Sequence, residues 1–66
     1  MSIRDYWSMI ETALSHSIEL VINPAGHHWQ VQVKTHSGDL LATGQASMLP
    51  TAVLEALKAA HGRVVK

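Results

Sequence analysis

The apolar positions near the start of the chain recur with the period of a helix. Steps of four, three and four residues separate Ile3, Trp7, Ile10 and Leu14. Such spacing places these side chains along one stripe of a helical surface. Ser2 and Asp5 have the spacing of a capping box, in which each side chain bonds the backbone N–H of the other residue. We therefore predict an amphipathic helix over residues 3–15.

The middle of the chain alternates between apolar and polar positions, with the period of a β-strand. Residues 17–23 are rich in β-branched side chains and alternate, and the alternation resumes at Trp29 after an interruption at Pro24-Ala25-Gly26. A third alternating segment, residues 40–46, follows a hairpin turn at residues 36–39. This pattern predicts three antiparallel strands, the first of which ends before Pro24.

Helical spacing returns after the third strand. The apolar face of this segment consists of Leu49, Val53, Ala56, Leu57 and Ala60. We expect Ser47 to be the N-cap, Pro50 to lie in the first turn, and Gly62 to be the C-cap. His61 would then lie in the last turn, and residues 63–66 would form a short tail.

The predicted order of elements is α-β-β-β-α, an α+β fold in a single domain over residues 1–66. A sheet of three strands is too small for two short helices to cover both of its faces. We therefore expect both helices on one face and the other face open to solvent. Small residues at Ala42, Gly44 and Ala46 would let a helix approach the covered face closely. Trp7 and Trp29 share the phase of the apolar positions, so we expect both in the core.

The residues that alternate outward define a candidate protein-binding surface, which we call the open sheet face. Its predicted members are Glu19, Val21, His28, Gln30, Gln32, Lys34, Leu41, Thr43 and Gln45. Amide groups with a few apolar side chains and little charge suit a protein interface better than a phosphate backbone. The plain alternative is a face that meets only water. The first helix offers a rival contact surface at Arg4, Asp5, Ser8, Glu11 and Thr12.

Two adjacent histidines, His27 and His28, are the most conspicuous candidates for chemistry. Neighbouring residues that enter a strand point to opposite faces, so these two imidazoles do not chelate one ion together. His36 shares the side of His28, but it lies about 26 Å away along an extended strand at roughly 3.3 Å per residue. A zinc site needs about four converging ligands. We therefore expect turn residues here and no metal site.

The remaining composition indicates a protein that is not an enzyme. The 66 residues include no cysteine, which leaves no thiolate ligand and fits a reducing cytoplasm. The five acidic residues are dispersed, with Glu11 and Glu55 expected on helix surfaces, and no glycine-rich phosphate loop or nucleophile elbow is present. We expect no catalytic residues and no cofactor. The chain start lacks a signal-peptide pattern, and no apolar run approaches membrane-spanning length, so we expect a cytoplasmic location.

Three stretches carry a resemblance to the double-stranded-RNA-binding domain family, and together they span residues 24–60. They are PAGHHWQVQV, GDLLATGQAS and TAVLEALKAA. The resemblance implies the α-β-β-β-α fold, and His27 or His28 would match the loop histidine that contacts the minor groove. The lysines that contact phosphates would fall at residues 48–52, where this chain has Met-Leu-Pro-Thr-Ala. With zero formal net charge, the fold is expected to be shared without the RNA binding.

Two weaker resemblances concern other classes of protein. Glu55-Ala56-Leu57 is similar to a helical string of HicB-type antitoxins. In size, neutrality and lack of a catalytic constellation, the chain resembles the small inhibitors carried by phages and mobile elements, anti-CRISPR proteins among them. That resemblance implies a steric inhibitor whose partner is a larger host protein or protein–nucleic-acid complex. A monomer and a homodimer both remain open, and direct contact with nucleic acid or a membrane is not expected.

Overall fold

A computed structural model describes residues 2–65 and confirms the predicted order of elements. The elements are α1 (Ile3–Leu14), β1 (Ile18–Ala25), β2 (His28–Thr35), β3 (Leu40–Ala46) and α2 (Leu49–Val64). The strands form one antiparallel sheet in the order β1-β2-β3, and both helices pack on one of its faces. The fold is therefore α+β. Within residues 2–65, no helix has the length and apolar character needed to cross a bilayer.

The predicted capping box opens α1. The Asp5 backbone N–H donates to Ser2 Oγ at 3.2 Å, and the Ser2 N–H donates to Asp5 Oδ2 at 3.0 Å. The backbone N–H of Ser2, and after it the Ser2 hydroxyl, lower the pKa of the Asp5 carboxyl, because both favour its charged form. The helix ends at Leu14, and Ser15 turns the chain in the left-handed conformation with φ of 59°.

β1 extends through Pro24, so the prediction that this residue ends the strand was wrong. Pro24 lies opposite Trp29, and the strand continues to Ala25. The Ile18 N–H donates to the Glu11 carboxylate at 3.1 Å, which shows that the backbone groups of Ile18 point away from β2. Alternation gives Pro24 the same outward direction, so its missing N–H removes no bond from the sheet.

Two short turns join the strands. Gly26 has φ of 67° while φ of His27 is negative, which is the pattern of a type II′ hairpin turn. In the predicted second turn, the Gly38 N–H donates to the Thr35 carbonyl at 3.0 Å, and Gly38 has φ of 96°. The Thr35 N–H in turn donates to the Asp39 carbonyl at 2.9 Å and starts the pairing of β2 with β3.

The core lies between the sheet and the helices. The buried residues are Ile10, Ile18, Val31, Val33, Ala42, Ala52, Ala56, Leu57 and Ala60. Trp7 and Trp29, both expected in the core, are half-buried and pack against this cluster instead of lying within it. Helix α2 passes directly over Gly44, because a Cβ there would lie 2.7 Å from the Ala52 carbonyl oxygen and 2.8 Å from Ala56 Cα. The prediction that small residues permit a close approach is confirmed.

The ends of α2 differ from the prediction, although Pro50 lies in its first turn as expected. Met48 is the N-cap and makes no side-chain capping bond, so Ser47 does not cap the helix. The helix also continues through Gly62 to Val64, which is half-buried against the core. Burial of Val64 favours continuation, and a glycine inside a helix costs only about 1 kcal/mol. Lys66, part of the expected tail, lies outside the described residues.

Candidate protein-binding face

The strand registers align the open sheet face into cross-strand rows. The rows are Glu19–Lys34–Leu40, Val21–Gln32–Thr43, Asn23–Gln30–Gln45 and, beside the turn, Ala25–His28. Eight of the nine predicted members lie in these rows. Val31 and Val33 alternate with them along β2 and are fully buried on the opposite face. Directly opposed side chains have Cβ atoms about 5 Å apart, so each row presents a continuous strip of side chains.

Leu41, the ninth predicted member, departs from the alternation. Ala42 lies opposite Val33 and Leu40 lies opposite Lys34, so Leu41 is the extra residue of a β-bulge. A bulge re-aims the side chain at the extra position, and Leu41 is half-buried against the core cluster. Leu40 takes its place beside Lys34 and is 52% exposed. Sequence alternation selected Leu41 and left its parity against Leu40 open, because alternation carries no signal for an inserted residue.

The open sheet face is nearly neutral and rich in free amides. Its acid, Glu19, lies directly opposite its base, Lys34, so no like charges meet. The amide row Asn23–Gln30–Gln45 crosses all three strands, and an amide offers two N–H donors and an acceptor oxygen. None of the side-chain hydrogen bonds within residues 2–65 involves these amides. Their donors and acceptors therefore stand free for a partner.

The histidines of the turn do not gather into a centre. His27 is a central residue of the tight turn, and His28 opens β2 at the corner of the open sheet face; both are exposed. His16 and His36 instead line one pocket of about 80 Å³ with Thr35 and Ser37. Sequence reasoning missed this pair, because the two imidazoles come from different turns. Among residues 2–65, no three His, Cys, Asp or Glu side chains are grouped to hold a metal ion.

The rival surface on α1 contains an open groove of about 360 Å³. It is lined by Ser8, Glu11, Thr12, Ser15, His16 and Ser17. Glu11 does not lie freely on the helix surface as expected, since it is half-buried and accepts the Ile18 N–H. No hydrogen bond joins His16 to a serine in the described part of the chain. The groove thus places polar groups together without a bonded nucleophile and base.

The positions at which phosphate-contacting lysines would fall are uncharged. Met48 and the first turn of α2 contribute no basic side chain where phosphate-contacting lysines would fall. Of the Glu55-Ala56-Leu57 string, Ala56 and Leu57 are fully buried. In this fold the string therefore packs α2 against the sheet.

The chain matches no protein-family model, no curated protein and no solved structure. The geometry of the open sheet face therefore carries the argument about function.

Proposed function

We propose that this protein is a non-enzymatic protein-binding module whose open sheet face docks on a larger protein. The observation that carries the proposal is the composition of that face: the free amides of Asn23, Gln30, Gln45 and Gln32, and one opposed charge pair in register. Such a surface can both donate and accept hydrogen bonds, and its burial would remove water from few charged groups. Both properties are typical of protein interfaces. A phosphate backbone would require several cations, and this face has one, Lys34.

Within this proposal, the protein acts as a steric inhibitor of a nucleic-acid-handling complex. The support is the resemblance in size and style to anti-CRISPR-like inhibitors. A standard interface buries about 800 Å² on each partner, roughly a fifth of the 4190 Å² that this protein exposes. A bound chain would project the two helices away from the contact and exclude other molecules from that site.

A duplex-RNA-binding module is the second candidate, because the α-β-β-β-α order is the order that the family resemblance implies. The uncharged start of α2 and the zero formal net charge weigh against it. The two candidates differ in their response to salt, since phosphate contacts weaken steeply as ionic strength rises.

Affinity capture from host lysate, followed by binding to the purified captured partner, tests the docking face. We expect Gln32→Glu and Lys34→Glu each to weaken binding by at least about tenfold, or about 1.4 kcal/mol. Lys58→Glu is the matched control, because Lys58 is exposed on α2 and undergoes the same reversal of charge. Circular dichroism would verify folding of each variant. Full binding by both folded face variants would show that the partner contacts another surface.

A further inference from the structure

The two edges of the sheet differ in how well they are protected from further strand pairing. On the β1 edge, the Glu11 carboxylate occupies the outward N–H of Ile18 at one end, and Pro24 has no N–H to offer at the other. Between them, Leu20 and Ile22 are the residues of β1 whose outward N–H groups stay free. Charged side chains and prolines at an edge are the usual means of preventing strand addition.

The β3 edge has neither form of protection. Thr35 directs its N–H toward β3, so alternation pairs Ala42, Gly44 and Ala46 with β2 and turns the backbone groups of Thr43 and Gln45 outward. Within residues 2–65, no hydrogen bond from a turn, a loop or a side chain reaches those outward groups. β3 contains no charged residue and no proline, and its bulge lies at its start.

The most exposed large apolar residues of the described chain lie at the two ends of this unprotected edge. Leu40 begins β3 and is 52% exposed, while Met48 follows its end by two residues and is 64% exposed. A second copy of β3 can pair with this edge in the antiparallel direction. Leu40 of each copy then lies at the same end of the paired strands as Met48 of the other copy. The edge is therefore complementary to itself in apolar contacts as well as in hydrogen bonds.

We propose that two copies of this chain pair through their β3 edges, antiparallel, to form a continuous six-stranded sheet. The two-fold axis passes next to Thr43, so the Thr43 residues of the two copies lie beside each other and form a favourable cross-strand pair. Because β3 is uncharged, no like charges meet across the axis. Each copy contributes the same strand to the contact, which is the defining property of a two-fold interface.

Pairing with a second copy would also enlarge the open sheet face. One open sheet face covers a flat area of only about 330 Å², taken as three strands about 4.8 Å apart and seven residues of roughly 3.3 Å. Pairing of β3 leaves this face open and doubles its flat area, so a partner that docks across both copies would meet a larger surface. This area argument rests on the proposed function, whereas the argument from the edges does not.

Sedimentation of the purified protein without any partner tests the pairing, and thereby separates it from the docking proposal. We expect a concentration-dependent mass that approaches twice 7.2 kDa. Thr43→Lys should weaken self-association by about tenfold or more, because two ammonium groups then face each other across the axis. Asn23→Lys is the matched control, since Asn23 is exposed on the same face but lies on β1. It should leave the dimer intact.

Amide hydrogen exchange followed by NMR gives a second readout. The Thr43 and Gln45 amides should gain protection as concentration rises, while those of Leu20 and Ile22 on the β1 edge stay fast. Gln45→Pro removes one outward N–H without taking a bond from the β2–β3 ladder, and it should likewise give a monomer. A mass of 7.2 kDa at every concentration up to millimolar would overturn the proposal. So would a dimer that survives Thr43→Lys, or one that Asn23→Lys also dissociates.

Discussion

At the scale of single residues, Gly44 sets the distance between α2 and the sheet. We expect Gly44→Ala to destabilise the protein by about 1–3 kcal/mol, because the added Cβ would press on the backbone of Ala52 and Ala56 rather than on a movable side chain. A loss of 1 kcal/mol lowers Tm by about 4–8 °C in a domain of this size. Thermal denaturation followed by circular dichroism measures the change.

Gly62→Ala is the matched control for this substitution. Gly62 lies inside α2, and a Cβ there would have no atom within 4 Å. Alanine should therefore raise stability by up to about 1 kcal/mol through its better helix propensity. Equal Tm values for the two variants would show that the close approach at Gly44 does not limit packing.

The residues that sequence analysis misplaced have a common physical cause. Glycine commonly ends a helix, which is why Gly62 was expected to be the C-cap. Burial of Val64 outweighs that preference. Leu41 has the parity of an outward residue, but it is the extra residue of a β-bulge, which changes the direction of its side chain. Local patterns identify preferences, whereas these outcomes depend on packing partners far away in the chain.

At the scale of elements, Glu11 couples α1 to β1. Its carboxylate accepts the Ile18 N–H at 3.1 Å from seven residues earlier in the chain. We expect Glu11→Ala to cost about 1–2 kcal/mol, because a part-buried N–H loses a charged acceptor. Glu11→Gln keeps an acceptor oxygen and should recover much of the loss. Urea denaturation measures both.

The control for this coupling is Glu55→Ala, which removes an exposed carboxylate from α2. Such a surface change should shift stability by no more than about 0.5 kcal/mol. If Glu11→Ala proved equally mild, the hydrogen bond would not contribute to holding the helix on the strand.

The positions of the helices and strands could be predicted from periodicity, but the residue at which β1 ends depended on how the strands pair. The stripe of α1 and the alternation of β2 were sufficient to place those elements, and β3 was predicted with its observed bounds, Leu40–Ala46. The end of β1 was missed because a proline is compatible with an edge strand, and the sequence does not state which strand is at an edge.

At the scale of the whole molecule, most of the open sheet face was predictable and the edges were not. Alternation alone identified eight of its members, because one buried face forces the other residues outward. The contrast between the β1 and β3 edges needed the strand order and the Glu11 contact with Ile18, which come from the folded chain.

The charge of the whole molecule distinguishes the two candidate functions. Five basic and five acidic residues give zero formal net charge, and the first turn of α2 has no cation to meet a phosphate. We therefore expect no mobility shift of duplex RNA even at low salt, where phosphate contacts are strongest. Association with a captured protein partner should instead change little between low and physiological salt, because the face has a single opposed charge pair. A duplex-RNA shift that weakens steeply as salt rises would reverse this assignment and favour the RNA-binding module.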